Sequence, residues 1–181
     1  MTNSCNAASL PFMVREISAG GVVIRKREGI WWMAAIEPPT ESARAGMGQK
    51  AGRSRHVTGT PTAVLALPKG LVDSDEEPLQ TALREIHEET GVTAELIAKL
   101  GDSKYVYTRV WGDGERVFKI VSFYLMRYRS GRINHIKPEM RIEVAHARWL
   151  RLEDATKLLA YGGEKQMARR ALDYVKAHPE L

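Results

Sequence analysis

GLVDSDEEPLQTALREIHEETGV, residues 70–92, is the stretch from which the fold can be read. It gathers seven carboxylates around one basic residue, Arg84, in a chain whose net charge is +5. Like charges three or four residues apart weaken a helix by about 0.2–0.5 kcal/mol per pair, so the crowding is unfavourable unless something offsets it. A helix is nevertheless written there. Leu79, Ala82, Leu83 and Ile86 recur at i, i+3, i+4 and i+7, which makes one apolar face. Asp75 or Glu76 is placed to cap its start, Pro78 falls in the tolerant first turn, and Gly91 ends it. Glu85, Glu88 and Glu89, at i, i+3 and i+4, converge on a patch beside the apolar face. Such carboxylates either stand apart in water, take up protons, or hold a cation. A set of oxygen ligands suits a hard ion, Mg²⁺ or Mn²⁺, which pairs naturally with phosphate oxygens.

Working outward, strands surround this helix. Residues 15–26, REISAGGVVIRK, mix β-branched residues with a glycine pair and predict a strand bulged or bent near Gly20 and Gly21. IWWMAAIE predicts a second strand, joined to the first by a turn at REG. AVLAL, residues 63–67, predicts a short buried strand leading into PKG. After the helix, YVYTRV and RVFKIVSFYLMRY predict two strands around the turn WGDGE, and AHARWLRL another. LEDATKLLA and EKQMARRALDYVKAH predict two closing helices. Strands interspersed with few helices imply a mixed α/β domain. The expected organisation is a flexible tail at 1–12 and one domain at 13–181, carrying a long basic loop at 38–62.

Composition narrows the function classes. A 44% hydrophobic, 27% charged chain of 181 residues reads as an ordinary globular domain. Its apolar runs, such as GGVVI and AVLAL, are far too short to span a bilayer, so no membrane is expected. The N-terminus lacks a basic start and a long apolar stretch, so no signal peptide is read. A single cysteine, Cys5, excludes an internal disulfide framework and fits the cytoplasm. The pI near 9.4 suits a polyanionic partner.

The spacing then becomes specific. Gly70, Glu76, Arg84, Glu85, Ile86, Glu88, Glu89, Gly91 and Val92 satisfy G-x5-E-x7-R-E-U-x-E-E-x-G-U, with U aliphatic. The chain therefore resembles the Nudix hydrolases, which cleave nucleoside diphosphates linked to another moiety. That resemblance implies an α/β/α sandwich, a mixed sheet flanked by helices. It implies that Glu85, Glu88 and Glu89 bind Mg²⁺ or Mn²⁺, that Arg84 orients them, that Glu76 supports that network, and that Gly70 and Gly91 shape the loop and the helix end. His87 falls at a variable position and reads as a surface residue. Asp75 stands where the family commonly has glycine, a departure that removes no ligand.

Outside the box, ALPKG, KIVSFYL and EVAHARWLRLEDATKLL resemble segments of dinucleoside polyphosphate hydrolases and their relatives. Tyr107 stands where ADP-ribose enzymes of the family carry proline, and a tyrosine in this region marks the dinucleoside polyphosphate type. The resemblance thus points to a magnesium-dependent pyrophosphohydrolase, with diadenosine tetraphosphate as the first substrate to try. An (oxidised) nucleoside triphosphate is the alternative substrate, and a non-catalytic nucleotide-binding module the alternative class. Lys69 and Lys119 are placed as phosphate contacts, Tyr107 or Phe123 as a stacking ring, and Glu143, which matches a loop glutamate of the related enzymes, as a helper of the metal site or acceptor of the water's proton. Partners are small nucleotides. Nucleic acid is not expected, although the basic stretch 44–56 keeps RNA in view. Monomer and homodimer both stay open.

Overall fold

The computed structural model describes residues 13–39, 64–109 and 114–181. The tail at 1–12, positions 40–62 of the basic loop and most of the turn WGDGE lie outside these residues. The elements run β1 (Val14–Arg27), β2 (Ile30–Glu37), β3 (Lys69–Leu71), α1 (Pro78–Thr90), β4 (Val92–Thr108), β5 (Arg116–Gly131), β6 (His146–Arg151), α2 (Leu152–Leu158) and α3 (Gly162–Ala177). A 3₁₀ turn, Pro138–Ile142, precedes β6.

Strand β1 is central. It pairs in parallel with β5 and antiparallel with β2 and β3, giving a mixed sheet ordered β4-β5-β1-β2-β6 with β3 beside β1. Its residues from Ser18 to Ile24 are all buried, as expected of a strand covered on both faces. Val22 and Ile24 join a core with Leu152, Met167 and Ala171 of α2 and α3. Ala19 and Val23 point the other way, to Ala82 and Ile86 of α1. The period-two alternation of one strand thus builds both layers of an α/β/α sandwich.

Three local expectations are corrected. Gly20 and Gly21 make no bulge, because β1 keeps unbroken register with β5 through both. They are small because of what crosses them: Pro68 and Lys69 press on Gly20, and Ile86 lies where a Gly21 side chain would be. Residues 64–67 form no full strand, since Leu65 and Ala66 make only isolated bridges to Leu159 and Ile36. The α1 N-cap is Glu77, whose amide donates to Gln80 Oε1 at 2.9 Å, and not Asp75 or Glu76. Glu76 is engaged elsewhere. The helix ends as expected at Gly91, in the left-handed region at φ 77°.

Candidate active site

The box helix carries its acids along its edge with the sheet. Arg84, on the second turn, collects them. Its Nε and Nη2 donate to the two oxygens of Glu76 at 2.8 Å each, and its Nη1 to Glu85 at 2.7 Å and Glu88 at 3.0 Å. Asp73 lies 3.6 Å from Nη2. Charge-assisted bonds of this kind favour the ionised partners. The Arg84 guanidinium, with Thr81 donating beside it, holds Glu76 down at about 2, and Arg84 in turn keeps its proton more firmly, chiefly through Glu76.

Glu85 and Glu89 are 8% and 5% exposed, deeper than an edge position suggests. Burial raises the proton affinity of Glu85 against the pull of Arg84. Burial pushes Glu89 up to about 8, although the charge and backbone N–H of Lys69 oppose it. Gly70 belongs to this packing, because a Cβ there would run into the Glu85 carboxylate. Glu88 stays half-exposed, and His87 lies at the surface.

Glu143 reaches the same patch from the far side of the chain. Its charge acts on both Glu85 and Glu89. The loop that presents it is held by Arg141, which donates to Asn134 Oδ1 at 3.1 Å and to the carbonyls of Asn134 and Ala145 at 2.9 and 2.6 Å. Asn134 N–H in turn donates to Thr90 O at 2.9 Å, tying the loop to the end of α1. Val144, fully buried, pins the residue next to Glu143.

Glu85, Glu88 and Glu89 offer only oxygen, which fits a hard divalent cation. Among the described residues no three acidic, histidine or cysteine side chains are already drawn around one point. Arg84 Nη1 sits between Glu85 and Glu88 instead, engaging one oxygen of each carboxylate.

The sheet face away from α1 carries the cations. Tyr105, Lys119 and Glu16 occupy one register row across β4, β5 and β1, so their side chains share a face. Glu16 accepts from Tyr107 Oη at 2.9 Å and Arg109 at 2.7 Å, and lies 3.4 Å from Lys119 Nζ. Burial alone would raise the proton affinity of Glu16, yet these donors together hold its carboxyl below the usual range. Burial pushes Lys119 down, Glu16 pulls it back, and the charge of Lys69 lowers it further. The two lysines therefore sense one another.

Lys69 joins both sides. Its backbone N–H donates to Glu89 at 2.8 Å, and its Nζ lies 3.1 Å from Glu164 and 5.9 Å from the Tyr161 ring. Burial alone would favour the neutral amine, but Glu164 and Glu89 more than offset it, and the proton is held above the usual lysine range. Phe123 is 1% exposed within the core and takes no part, which corrects its placement as a stacking ring. Tyr107 lies half-buried with its hydroxyl committed to Glu16.

Sequence reasoning missed Glu16, Tyr105, Arg109, Tyr161, Arg141 and Glu164. Alternation along β1 offered a weak signal for Glu16. Glu164, in the first turn of a helix, looks like any acid favoured at a helix start. Only the fold shows that it is buried.

The NUDIX domain family model matches residues 48–171. The chain is similar to the putative mutator protein MutT4 of Mycobacterium tuberculosis, 34% identical over 158 residues, 87% of this chain and 55% of that protein. It thus spans about half the length of that relative. It is 30% identical over 126 residues to the RNA pyrophosphohydrolase of Azorhizobium caulinodans, 62% of this chain and 73% of that protein. Among solved structures, a C. elegans Ap4A hydrolase binary complex superposes with a TM-score of 0.59 at 21% identity, over 90% of this chain and 98% of that one.

Proposed function

Because the chain belongs to the Nudix family, we propose that it is a divalent-metal-dependent pyrophosphohydrolase whose substrate is a dinucleoside polyphosphate, diadenosine tetraphosphate first. The observation that carries this reading is the opposition across Lys69. On one side stand Glu85, Glu88, Glu89 and Glu143; on the other stand Lys119 and Arg109 among Tyr105, Tyr107 and Tyr161. A long anion with a ring at each end suits such an arrangement of charges and rings. The C. elegans structure of like fold is of an enzyme named for that substrate.

Glu85, Glu88 and Glu89 would hold Mg²⁺ or Mn²⁺, each keeping one oxygen on Arg84 or on the Lys69 N–H and offering the other to the ion. When bound, the ion neutralises charge on the phosphate oxygens and makes a bound water more acidic. Lys69 and Lys119 meet non-bridging phosphate oxygens as point charges. Glu143 takes the proton of the attacking water as its oxygen bonds to phosphorus, and the bridging P–O bond opposite breaks to release the leaving phosphate. Arg84 orients the glutamates and stays outside the reaction.

The mutator relative, at 34% identity, favours a second reading, hydrolysis of nucleoside triphosphates, oxidised ones included, to monophosphate and pyrophosphate. Product analysis of purified protein with Mg²⁺ on diadenosine tetraphosphate and on a triphosphate panel separates the two. Turnover confined to triphosphates overturns the first reading. No turnover of any nucleoside diphosphate derivative overturns both.

A further inference from the structure

We infer that Glu164 is a positioning residue that fixes Lys69 so that its ammonium meets the substrate's phosphates. The inference rests on Lys69 being a phosphate contact, as read above. Glu164 stands in the first turn of α3 and is 4% exposed. Its two oxygens have separate tasks. Oε2 accepts the Leu67 N–H at 2.9 Å, and Oε1 holds Lys69 Nζ at 3.1 Å. A neutral amide would satisfy Leu67 equally well, so the fold has no need of a charge there. Burying a carboxylate is costly unless its charge is used. Lys69 uses it.

The grip is placed to aim a side chain. The Lys69 backbone is tied to α1 through Glu89, and its ammonium to α3 through Glu164, so this residue is clamped between the two helical layers. The start of α3 is itself seated, since a Cβ on Gly163 would run into Ser103 Oγ of β4. The side chain of Lys69 is 24% exposed and that of Glu164 only 5%, so the carboxylate takes the buried side of the ammonium. An ammonium has three donors. Those not spent on Glu164 remain for a ligand on the side of Tyr161 and Lys119. A free lysine would lose this orientation among its rotamers, and prepaid order is what favours binding.

Kinetics of E164Q, K69Q and the double variant on the turned-over substrate test this, together with the rate at which formaldehyde and borohydride methylate Lys69, read by mass spectrometry. E164Q keeps size and the acceptor for Leu67. It is expected to raise KM about tenfold, the worth of one hydrogen bond to a charged group, with kcat within about threefold. The double variant should bind no worse than K69Q, and Lys69 should methylate faster in E164Q. A wild-type KM in E164Q, or a loss in the double variant that multiplies the single ones, overturns the assignment. Should E164Q melt below the assay temperature, K69Q and the double variant are compared below their melting midpoints: equal KM supports the assignment and a further tenfold rise, about one lost charged bond, overturns it. A wild-type protein without turnover sinks the functional reading only. The methylation rates then decide this one, and equal Lys69 rates in wild type and E164Q refute it.

Discussion

Arg84 and Glu16 are mirror images. Around Arg84, one cation is shared by Glu76, Glu85 and Glu88, with Asp73 nearby. Around Glu16, one anion is shared by Arg109, Lys119 and the Tyr107 hydroxyl. The balance differs. Glu115 neutralises Arg109 in the second cluster, whereas the first keeps more acids than its single guanidinium can satisfy. An excess of buried or half-buried carboxylate calls for a further cation, while paired cations wait to be shared with an anion. On the proposed reading the two clusters serve complementary parts of one ligand system, a metal ion and a polyphosphate.

The largest expected effect breaks the first cluster at its most exposed member. E88Q removes a carboxylate that is half-exposed and held by one bond, so stability should move by less than about 0.5 kcal/mol. Turnover should fall by about a hundredfold or more, since even an outer partner of a metal ligand is worth ten- to a hundredfold. Thermal melts beside kcat in Mg²⁺ check this, and an unchanged rate removes Glu88 from the metal site. Next, R84Q releases every acid at once. It leaves Glu85 buried without its cation, which should cost about 1–3 kcal/mol of stability in urea melts. Activity should fall by about ten- to a hundredfold and recover in part at higher Mg²⁺ if, as proposed, Arg84 orients the metal ligands without being one. No recovery at any Mg²⁺ concentration would make it a substrate contact.

The first cluster was legible in sequence and the second was not, for a physical reason. Glu85, Glu88 and Glu89 lie on one helix, where i, i+3 and i+4 neighbours meet by local geometry, so spacing alone places them together. Glu16, Tyr107 and Arg109 meet across strands 91 and 93 positions apart, set by the register of β1 with β5 and of β5 with β4. Register depends on the whole sheet. The same holds for β4. Its final residues, YVYT, show strand composition, but it begins at Val92, and register shifts at Thr93, Leu96 and Lys99 break the alternation that would have revealed the rest. The layers themselves were readable from patterning. The isolated bridges of Leu65 and Ala66 were not, since a short apolar run looks alike as strand or buried connector.

A smaller effect sharpens the second cluster. E16Q keeps an acceptor for Tyr107 but removes the negative charge beside Lys119 and Arg109. On the proposed reading Glu16 competes with phosphate for these cations, so KM should fall about threefold, the scale of a modest ion pair, with kcat unchanged. A rise in KM would instead make Glu16 a positioning acid like Glu164.

The smallest effect is the pH dependence of the Arg84 cluster. Glu76 titrates near 4.5 when unfolded and at about 2 when folded, held down by Arg84 and Thr81. Between those values the unfolded chain binds more protons, so stability rises with pH there. Glu76's contribution is therefore complete above about 4.5 and is lost as pH falls through about 2. E76Q lacks it at every pH. The stability gap between wild type and E76Q, from urea melts of the metal-free protein, should be constant above pH 5 and shrink toward pH 2.5 (approximate bounds set by the two titrations). A gap that stays constant over the whole range would mean that Glu76 is held by shape alone, and that the acids around Arg84 do not act through charge.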